Sequence, residues 1–385
     1  MKEMNQEKAM ELRQMIIDKM SIVSERSKEK IPYTTIDGIH DDRSSSQKQW
    51  KEEDGINWWT NGFWPGMMWL MYDSCGEEKY ATIARESEKK LDQCFQEYYG
   101  LHHDVGFMWL LSSVAEYRRT KNPESRKRGL HAANLLAGRF NPAGGFIRAW
   151  NEKTFGDVDT TGWVIIDCMM NLPLLYWASE EINDPRYRFI AMAHADKVKD
   201  TFIREDGSVN HIVEYDPCTG KLVKTYGGQG YAEGSAWTRG QCWAIYGFTL
   251  SYIHTGKKEY LDTAHKVAQY FMKHIPEDGQ IPVDFNQPAK PQLMDASAGA
   301  IAASAFLELA RYSEGQVAEE YNRVAEKLID ALLLNSCDWS ENTDHILKNC
   351  SAAYHDKEHH FSIIYGDYFF MEAIWKLNGS NSLMW

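Results

Sequence analysis

The sequence predicts an all-α protein in which six helical hairpins close into a toroid. Apolar segments rich in aromatic and small residues recur along the chain, and charged amphipathic segments alternate with them. The first and last elements also look complementary, so the array can close on itself. The six apolar segments begin near Asn61, Asp104, Gly162, Thr238, Ala296 and Gly366.

These apolar segments predict the inner helices, and each has a glycine in or just before its first turn. Five of the six are followed by a short polar turn and an amphipathic segment that predicts an outer helix. Four outer segments share a similarly placed tyrosine, at Tyr80, Tyr187, Tyr260 and Tyr321, and the fifth, PESRKRGLHAANLL, lacks it. The sixth inner segment has no such partner after it. The amphipathic N-terminal segment, about residues 5–24, can supply that partner and complete a ring of twelve helices.

Self-similar units of this kind bury their faces only by stacking on their neighbours. An open solenoid would need polar caps at both ends, which favours the closed ring, although an ordinary α-helical array remains an alternative. No linker rich in Gly, Ser or Pro divides the chain. Residues 1–385 are therefore expected to form one domain.

Long connections precede five of the six inner helices, so they are expected to gather at one end of the ring. Loops of this length in a compact domain are usually functional. The N-termini of the inner helices lie at the same end and offer partial positive charge to an anionic ligand. The connections span residues 31–58, 141–161, 201–237, 274–295 and 335–361.

Composition excludes several classes of partner. The formal charge of −13 disfavours binding to nucleic acid or to an anionic membrane. Seven cysteines without CxxC spacing argue against a disulfide framework and a zinc ribbon, and fit a reducing cytoplasm. No secretory signal is visible, and the longest apolar run, residues 164–178, is too short and too polar to span a membrane. We expect a cytoplasmic monomer or homodimer.

Asp167 lies in the most apolar stretch of the chain, GWVIIDCMMNLPLLYWA, where burial should raise its pKa. Its neighbours at helical spacing would be Trp163, Val164, Met170 and Asn171. A carboxylic acid kept protonated near neutral pH can act as a proton donor. The alternative is a buried aspartate that is simply bonded to backbone or to Asn171.

Other polar and aromatic residues near the expected loop end suggest a site for an acidic sugar. Arg239 could hold a carboxylate through two hydrogen bonds, and indole faces could cover sugar C–H surfaces. The residues are Asp104, Trp150, His211, Gln229, Arg239, Trp243, Tyr354 and His355.

Each of these residues also has a structural explanation. Asp104 is well placed to cap a helix N-terminus, the Trp and Tyr residues could belong to the core, and His211 could be a satisfied polar group. The pair His102 and His103 is not expected to bind a metal, because adjacent residues on a helix or strand point apart and no HxxxH motif follows.

Several motifs resemble those of the unsaturated glucuronyl hydrolases, glycoside hydrolase family 88. They are NWWTNGFWPG, HHDVGF, GGFIRAW, IIDCMMNLPLLYWA, the histidine of SVNHIVEYDP, GSAWTRGQCWAIYGF, DASAGAI and YGDYFFMEAIWKL, from about Trp58 to Leu377. The resemblance implies an (α/α)6 barrel, with Asp167 as general acid and base and Asp104 as a second essential carboxyl. It also implies a subsite for an unsaturated uronate that contains Trp59, Phe63, Trp150, His211, Gln229, Arg239, Trp243 and Tyr354.

The implied chemistry is hydration of the C4=C5 vinyl ether in a 4,5-unsaturated uronic acid, the non-reducing end that polysaccharide lyases leave. It implies neither a metal nor an organic cofactor. One alternative is an unsaturated rhamnogalacturonyl hydrolase acting on pectin fragments, although IIDCMMNLPLL and WTRGQCWAIYGF favour the first reading. Others are a non-catalytic oligosaccharide-binding barrel and a sugar epimerase of similar architecture.

The resemblance also bears on sulfated substrates. Sulfate-tolerant members are similar to one another in a Ser-x-x-Ser-x-Lys segment before the last inner helix. Here Ser351 keeps the first position, but Tyr354 replaces the second serine and Asp356 replaces the lysine, with Lys357 one residue away. The sequence therefore predicts a preference for unsulfated disaccharides.

Overall fold

The protein is a ring of helices with short strands in its connections. The structure is a computed structural model that describes residues 6–44, 55–96, 98–151, 158–381 and 384–385. The helices are α1 (Gln6–Ser27), α2 (Phe63–Cys75), α3 (Glu78–Gln96), α4 (Val105–Trp109), α5 (Ala115–Thr120), α6 (Pro123–Gly138), α7 (Leu172–Ile182), α8 (Pro185–Phe202), α9 (Thr238–Thr255), α10 (Lys258–His274), α11 (Ala296–Ala310), α12 (Gly315–Asn335) and α13 (Ile364–Leu377).

A π-helical turn (Leu110–Val114) joins α4 and α5 into one continuous inner helix. Short 3-10 helices cover Trp59–Gly62, Tyr98–Gly100 and Ile166–Met170. The strands are β1 (Thr35–Ile36), β2 (Ile39–His40), β3 (Phe140–Asn141), β4 (Phe146–Ile147), β5 (Trp163–Ile165), β6 (Ile212–Tyr215) and β7 (Leu222–Tyr226).

The inner helices form a closed ring. Helix α2 packs on the α4–α5 helix, which packs on α7, and the contacts continue through α9 and α11 to α13, which returns to α2. The outer helices α3, α6, α8, α10 and α12 each pack on the inner helix that precedes them, and α1 packs on α13 and α2. The predicted ring of hairpins, an (α/α)6 barrel, is confirmed.

Burial explains the alternation of helix types. Every residue of α11 is buried, and its run of alanine, serine and glycine lets neighbouring helices approach closely. Helix α10 instead buries one face and exposes the other, as an outer helix should. The tyrosines shared by the outer helices all face the core, at Tyr80, Tyr187, Tyr260 and Tyr321.

The predicted bounds hold for most elements. Helix α1 ends at Ser27 rather than near residue 24, and its predicted first residue, 5, lies outside the described residues. The connections at 203–237, 275–295 and 336–363 contain no helix and precede inner helices, as expected. Parts of the predicted connections at 31–58 and 141–161 also lie outside the described residues.

The prediction of a helix that begins near Gly162 is wrong. Trp163–Ile165 forms strand β5, the 3-10 turn follows, and α7 begins only at Leu172, with Pro173 in its first turn. Bulky and β-branched side chains favour a strand here, and β5 pairs with β6. A Cβ on Gly162 would lie 1.8 Å from the carbonyl oxygen of Tyr215, so glycine at this position allows the chain before β5 to lie close to the end of β6.

Two further observations concern the chain as a whole. No helix in the described part of the chain is long and apolar enough to cross a membrane. All seven cysteines are free thiols.

Candidate active site

A small antiparallel sheet brings three of the candidate residues together. Strand β5 runs into Asp167, β6 begins just after His211, and β7 runs into the turn before Gln229. The strands pair in the order β5, β6, β7, with Ile212 opposite both Ile165 and Tyr226. The end of β5, the start of β6 and the end of β7 therefore meet at one end of the sheet.

Asp167 is held in an environment that favours its protonated form. Its side chain is 14% exposed, and its Oδ2 has no hydrogen-bond partner among the described residues. Burial raises the pKa of Asp167 to about 8, the negative charge of Asp104 adds to this effect, and the positive charge of Arg239 opposes it. At neutral pH this side chain is a carboxylic acid that can donate a proton.

The neighbours of Asp167 differ from those predicted. Trp163 and Val164 lie on β5, so helical spacing does not apply to them. The side-chain amide of Asn171 donates to the main-chain oxygen of Asp167, at 3.2 Å, and not to its carboxyl. Asn171 therefore does not stabilise the ionised form of the Asp167 carboxyl by a hydrogen bond.

Asp104 is a buried carboxylate held on both oxygens. It directly precedes α4, but its side chain makes no capping hydrogen bond, so the helix-cap alternative is wrong. Its Oδ2 lies 3.2 Å from Nδ1 of His102 and 3.3 Å from Nε2 of His103. Its Oδ1 accepts a hydrogen bond from Asn171, at 3.2 Å.

The histidines set the charge of this carboxyl. Burial alone would raise the pKa of Asp104, but His103 and His102 outweigh burial and hold the pKa well below its usual range. Burial also lowers the pKa of His103, so at neutral pH this ring acts as a neutral N–H donor rather than as a cation. Asp104 is thus ionised beside a protonated Asp167, an arrangement typical of paired catalytic carboxyls.

The expectation that His102 and His103 point apart is wrong. They lie in the irregular segment before α4, where the two-fold alternation of a strand does not apply, and both rings face Asp104. Ligand atoms of these three residues lie within 4.8 Å of one another. Both ring nitrogens are near hydrogen-bonding distance of the carboxylate.

His211 faces the Asp167 carboxyl with a neutral ring. Its Nδ1 lies 2.9 Å from the backbone nitrogen of Gln229, which donates to it, and 3.2 Å from the carbonyl oxygen of Gly227; the shorter contact favours the tautomer with the ring proton on Nε2. That Nε2 lies 3.7 Å from Oδ2 of Asp167. Burial lowers the pKa of His211 to about 3, and the ring packs on Trp237 with centroids 4.1 Å apart.

Arg239 is more tightly held than predicted. Its Nη1 donates to Asp295, at 2.6 Å, and to the carbonyl oxygen of Ser351, at 2.7 Å, while Nη2 donates to the carbonyl of Ala352. Both Nη1 hydrogens are therefore used within the protein, and a grip on a ligand carboxylate through two hydrogen bonds stays a prediction. What Arg239 offers the site is its charge, which acts on Asp167.

The aromatic candidates divide into exposed faces and supporting rings. Trp59 and Trp150 are half-buried, and Trp59 stacks on Tyr365 with centroids 5.1 Å apart. Phe63 and Trp243 are fully buried, so here they support the site rather than present a face of their own. The indole N–H of Trp243 opposes the rise in the pKa of Asp167.

Gln229, Tyr354 and His355 join two of the connections at the rim. The side-chain amide of Gln229 donates to the carbonyl oxygen of Ala352, at 2.9 Å. The main-chain carbonyl oxygen of Gln229 accepts a hydrogen bond from the backbone N–H of Tyr354, also at 2.9 Å. Nε2 of the exposed His355 lies 2.8 Å from the carbonyl oxygen of Tyr231. These contacts fix the loop at 350–356 against the turn after β7.

Sequence reasoning missed three residues of the site. Asn171 was noted only as a neighbour of Asp167, Trp237 supports His211, and Asp295 binds Arg239. Only Asp295 has a clear local signal, an aspartate directly before a helix with serine two residues later, and its side chain does cap α11.

Comparison with known proteins places the chain in a family. Residues 23–375 match the family described as Glycosyl Hydrolase Family 88. The unsaturated glucuronyl hydrolase of Bacillus sp. strain GL1 is 35% identical over 346 residues, which cover 85% of this chain and 88% of that protein. The solved structure of the Bacillus sp. GL1 enzyme superposes with a TM-score of 0.85 at 33% identity, covering 94% of this chain and 96% of its own.

Two streptococcal proteins are also similar. The unsaturated chondroitin disaccharide hydrolase of Streptococcus pyogenes serotype M1 is 33% identical over 323 residues, covering 82% of this chain and 80% of that protein. A solved variant of the Streptococcus agalactiae unsaturated glucuronyl hydrolase, in complex with dGlcA-GalNAc6S, has a TM-score of 0.83 at 25% identity. It covers 100% of this chain and 95% of its own. The chain belongs to glycoside hydrolase family 88.

Proposed function

We propose that the protein removes the 4,5-unsaturated uronic acid from the non-reducing end of lyase-generated oligosaccharides, such as fragments of glycosaminoglycans or exopolysaccharides. The observation that carries the proposal is the pairing of Asp167, whose pKa burial raises to about 8, with the ionised Asp104. A vinyl ether is hydrated through protonation of carbon, which needs an acid of this kind.

The reaction begins with proton transfer from Asp167 to C4 of the unsaturated ring. The C4=C5 electron pair forms the new C4–H bond, and the ring oxygen shares the positive charge that develops at C5. Asp104 stabilises this cation because it remains ionised in a buried site.

Water then adds at C5 and returns a proton to the Asp167 carboxylate, which restores the acid. The hemiketal opens as the bond between C5 and the ring oxygen breaks, which leaves a ketone at C5 and a hemiacetal at C1. The hemiacetal collapses to an aldehyde, breaks the C1–O bond to the neighbouring sugar, and releases that sugar and a deoxy keto-uronate. Asp167 thus acts as acid and then as base, which is most effective when its pKa lies near the working pH. Nothing in these steps calls for a metal or an organic cofactor.

The remaining site residues bind and orient the substrate in this proposal. Arg239 attracts the uronate carboxylate by its charge, and the Nε2–H of His211 faces the region where water and substrate oxygens would lie. Trp59 and Trp150 cover sugar faces, with Phe63 and Trp243 behind them. Gln229, Tyr354 and His355 form the rim toward the neighbouring sugar.

We also infer that residues 1–385 act as one catalytic domain, a cytoplasmic monomer or homodimer, in which α1 completes the ring. Membership of a glycoside hydrolase family disfavours the non-catalytic barrel and the epimerase. The names of the Bacillus and Streptococcus pyogenes relatives support the glucuronyl reading over the pectin alternative.

A direct assay tests the proposal. Purified protein is mixed with unsaturated disaccharides from hyaluronan, chondroitin or bacterial exopolysaccharides, and loss of the ultraviolet absorbance of the conjugated double bond is followed. We expect turnover by the wild type and not by Asp167→Asn. Absence of turnover on all of these substrates, with turnover of an unsaturated rhamnogalacturonan fragment, would replace the proposal with the pectin alternative.

A further inference from the structure

One buried amide links the Asp104 carboxylate to the main chain of Asp167. Nδ2 of Asn171 donates both to Oδ1 of Asp104 and to the main-chain oxygen of Asp167, each at 3.2 Å. Its Oδ1 accepts the backbone N–H of Phe107, at 2.8 Å. Both amide hydrogens and the amide oxygen are therefore used, and the residue is fully buried.

The contact between Asn171 and the first turn of α4 is unusually close. A Cβ on Gly106 would lie 2.6 Å from both Cα and Oδ1 of Asn171, closer than side chains tolerate. Glycine at this position lets α4 approach the segment that carries Asp167. The amide can then reach Asp104 across 67 residues of sequence.

We propose that Asn171 is a positioning residue that fixes the Asp104 carboxylate relative to the segment carrying Asp167. This inference rests on the proposed function, because it assigns the linkage a role in that reaction. Asp104 is restrained on one oxygen by Asn171 and on the other by His102 and His103. Without the amide, Asp104 can turn about the remaining contacts and leave the position from which it acts on Asp167.

Two substitutions separate positioning from packing. Asn171→Ala removes all three hydrogen bonds. Asn171→Asp keeps an oxygen for the N–H of Phe107, and it can donate to Asp104 only while the new carboxyl is protonated. The control is Asn378→Ala, which removes an amide that donates to the carbonyls of Ala9 and Ile374, at 2.8 and 2.9 Å, at the far end of the barrel.

We expect kcat to fall about 10- to 100-fold in Asn171→Ala with KM changed less than about threefold, because a misplaced catalytic group costs rate more than binding. In Asn171→Asp, kcat should recover toward acidic pH, where the carboxyl again donates to Asp104. Asn378→Ala should leave kcat and the pH profile unchanged. Equal loss of thermal stability in Asn171→Ala and the control, with wild-type kcat and pH profile in both, would overturn the inference.

A second measurement needs no substrate. The side-chain carboxyls of 13C-labelled aspartate are titrated by NMR, with Asp104→Asn and Asp167→Asn used to assign their signals. In Asn171→Ala, the pKa of Asp167 should fall as Asp104 moves away, while Arg239 and the neutral His211 still face it. Lack of turnover by the wild type would reject the proposed function, whereas an unchanged Asp167 titration in Asn171→Ala would reject the positioning role.

Discussion

Nε2 of His211 and Oδ2 of Asp167 face each other at 3.7 Å, and neither atom has a hydrogen-bond partner among the described residues. The separation is too long for a hydrogen bond between them. A buried polar atom without a hydrogen-bond partner destabilises the folded protein, so such atoms usually bind a water molecule or a ligand. The pair marks the place where a substrate oxygen or the attacking water can be held beside the acid.

Replacement of Asp167 by asparagine should abolish turnover without loss of the fold. The amide is nearly isosteric but cannot deliver a proton to C4, so kcat should fall by about three orders of magnitude or more. Circular dichroism would check the fold and the ultraviolet assay the rate. Retention of more than about a tenth of the wild-type rate would remove Asp167 from the role of general acid.

The pH profile should report the protonation of Asp167. Because the acid must be protonated to start the reaction, kcat/KM should fall as pH rises through about 8. Neither Asp104 nor His211 should titrate in this range, since their pKa values lie well below it. Asp104→Asn removes the negative charge that raises the pKa of Asp167, so the fall in kcat/KM at alkaline pH should begin at lower pH, while the maximal rate drops severely. If this fall stays at the wild-type pH, the two carboxyls are not coupled.

Asp167→Asn should also stabilise the protein at alkaline pH. The folded-state pKa of about 8 lies above the ordinary value of 3.8, so the native state holds a proton that the unfolded state releases. The contribution of Asp167 to the free energy of unfolding of the wild type is therefore lost as pH rises from about 4 to about 8. The asparagine variant does not titrate and avoids this loss. In unfolding by urea, the asparagine variant should be more stable than the wild type by on the order of 5 kcal/mol at pH 8.5, and the two proteins should be nearly equal at pH 4. Asp200→Asn, at an exposed position, should show no such difference.

Gly228 should be needed for full activity because it lies against the ring of His211. It has a φ of +56°, and a Cβ here would lie 2.1 Å from Nδ1 of His211. Gly256 has a similar φ of +69° with no atom within 4 Å of the added Cβ. Both alanine variants should lose about 1 kcal/mol through the left-handed backbone. Only Gly228→Ala should displace His211 and lower kcat/KM, by about tenfold or more.

Equal activity in the two glycine variants would show that the position of His211 is not critical. Gly256→Ala therefore serves as the control for backbone strain alone. Thermal unfolding of both variants measures their stability, and the disaccharide assay measures the activity of the folded protein.

The barrel could be predicted because its signals repeat. Each hairpin has the same order of apolar and amphipathic segments, and the shared tyrosines all face the core. The three-stranded sheet gave no such signal, because short apolar runs such as Trp163–Ile165 fit a buried helix as well as a strand. The all-α expectation therefore placed Asp167 on a helix instead of in the turn after β5.

The candidate site was predictable where one residue conflicts with its surroundings. A lone acid in an apolar segment identified Asp167, and its burial accounts for its raised pKa. The partners of the other groups are remote in sequence: Arg239 and Asp295 are separated by 56 positions, and Asp104 and Asn171 by 67. Local patterns carry no information about contacts of that range, so the sequence did not reveal that Arg239 also binds Asp295.

The last prediction concerns sulfate on the neighbouring sugar. Tyr354 packs against Tyr231 and His355, with ring centroids 5.0 Å away in both cases, so the bulky ring is held at the rim. Asp356 and Lys357 beside it are exposed. A sulfate placed here would meet the ring of Tyr354 and the like charge of Asp356, which exposed Lys357 offsets only in part.

We therefore expect kcat/KM to be about tenfold higher for the unsulfated unsaturated chondroitin disaccharide than for its 6-sulfated counterpart. Tyr354→Ser combined with Asp356→Lys should narrow this ratio by improving the sulfated substrate, because it supplies a hydroxyl and a cation where each is missing. Lys357→Ala is the matched test of the remaining cation and should change the ratio little. A wild-type ratio that favours the sulfated disaccharide, and that Lys357→Ala reverses, would contradict the prediction and identify Lys357 as the residue that binds sulfate.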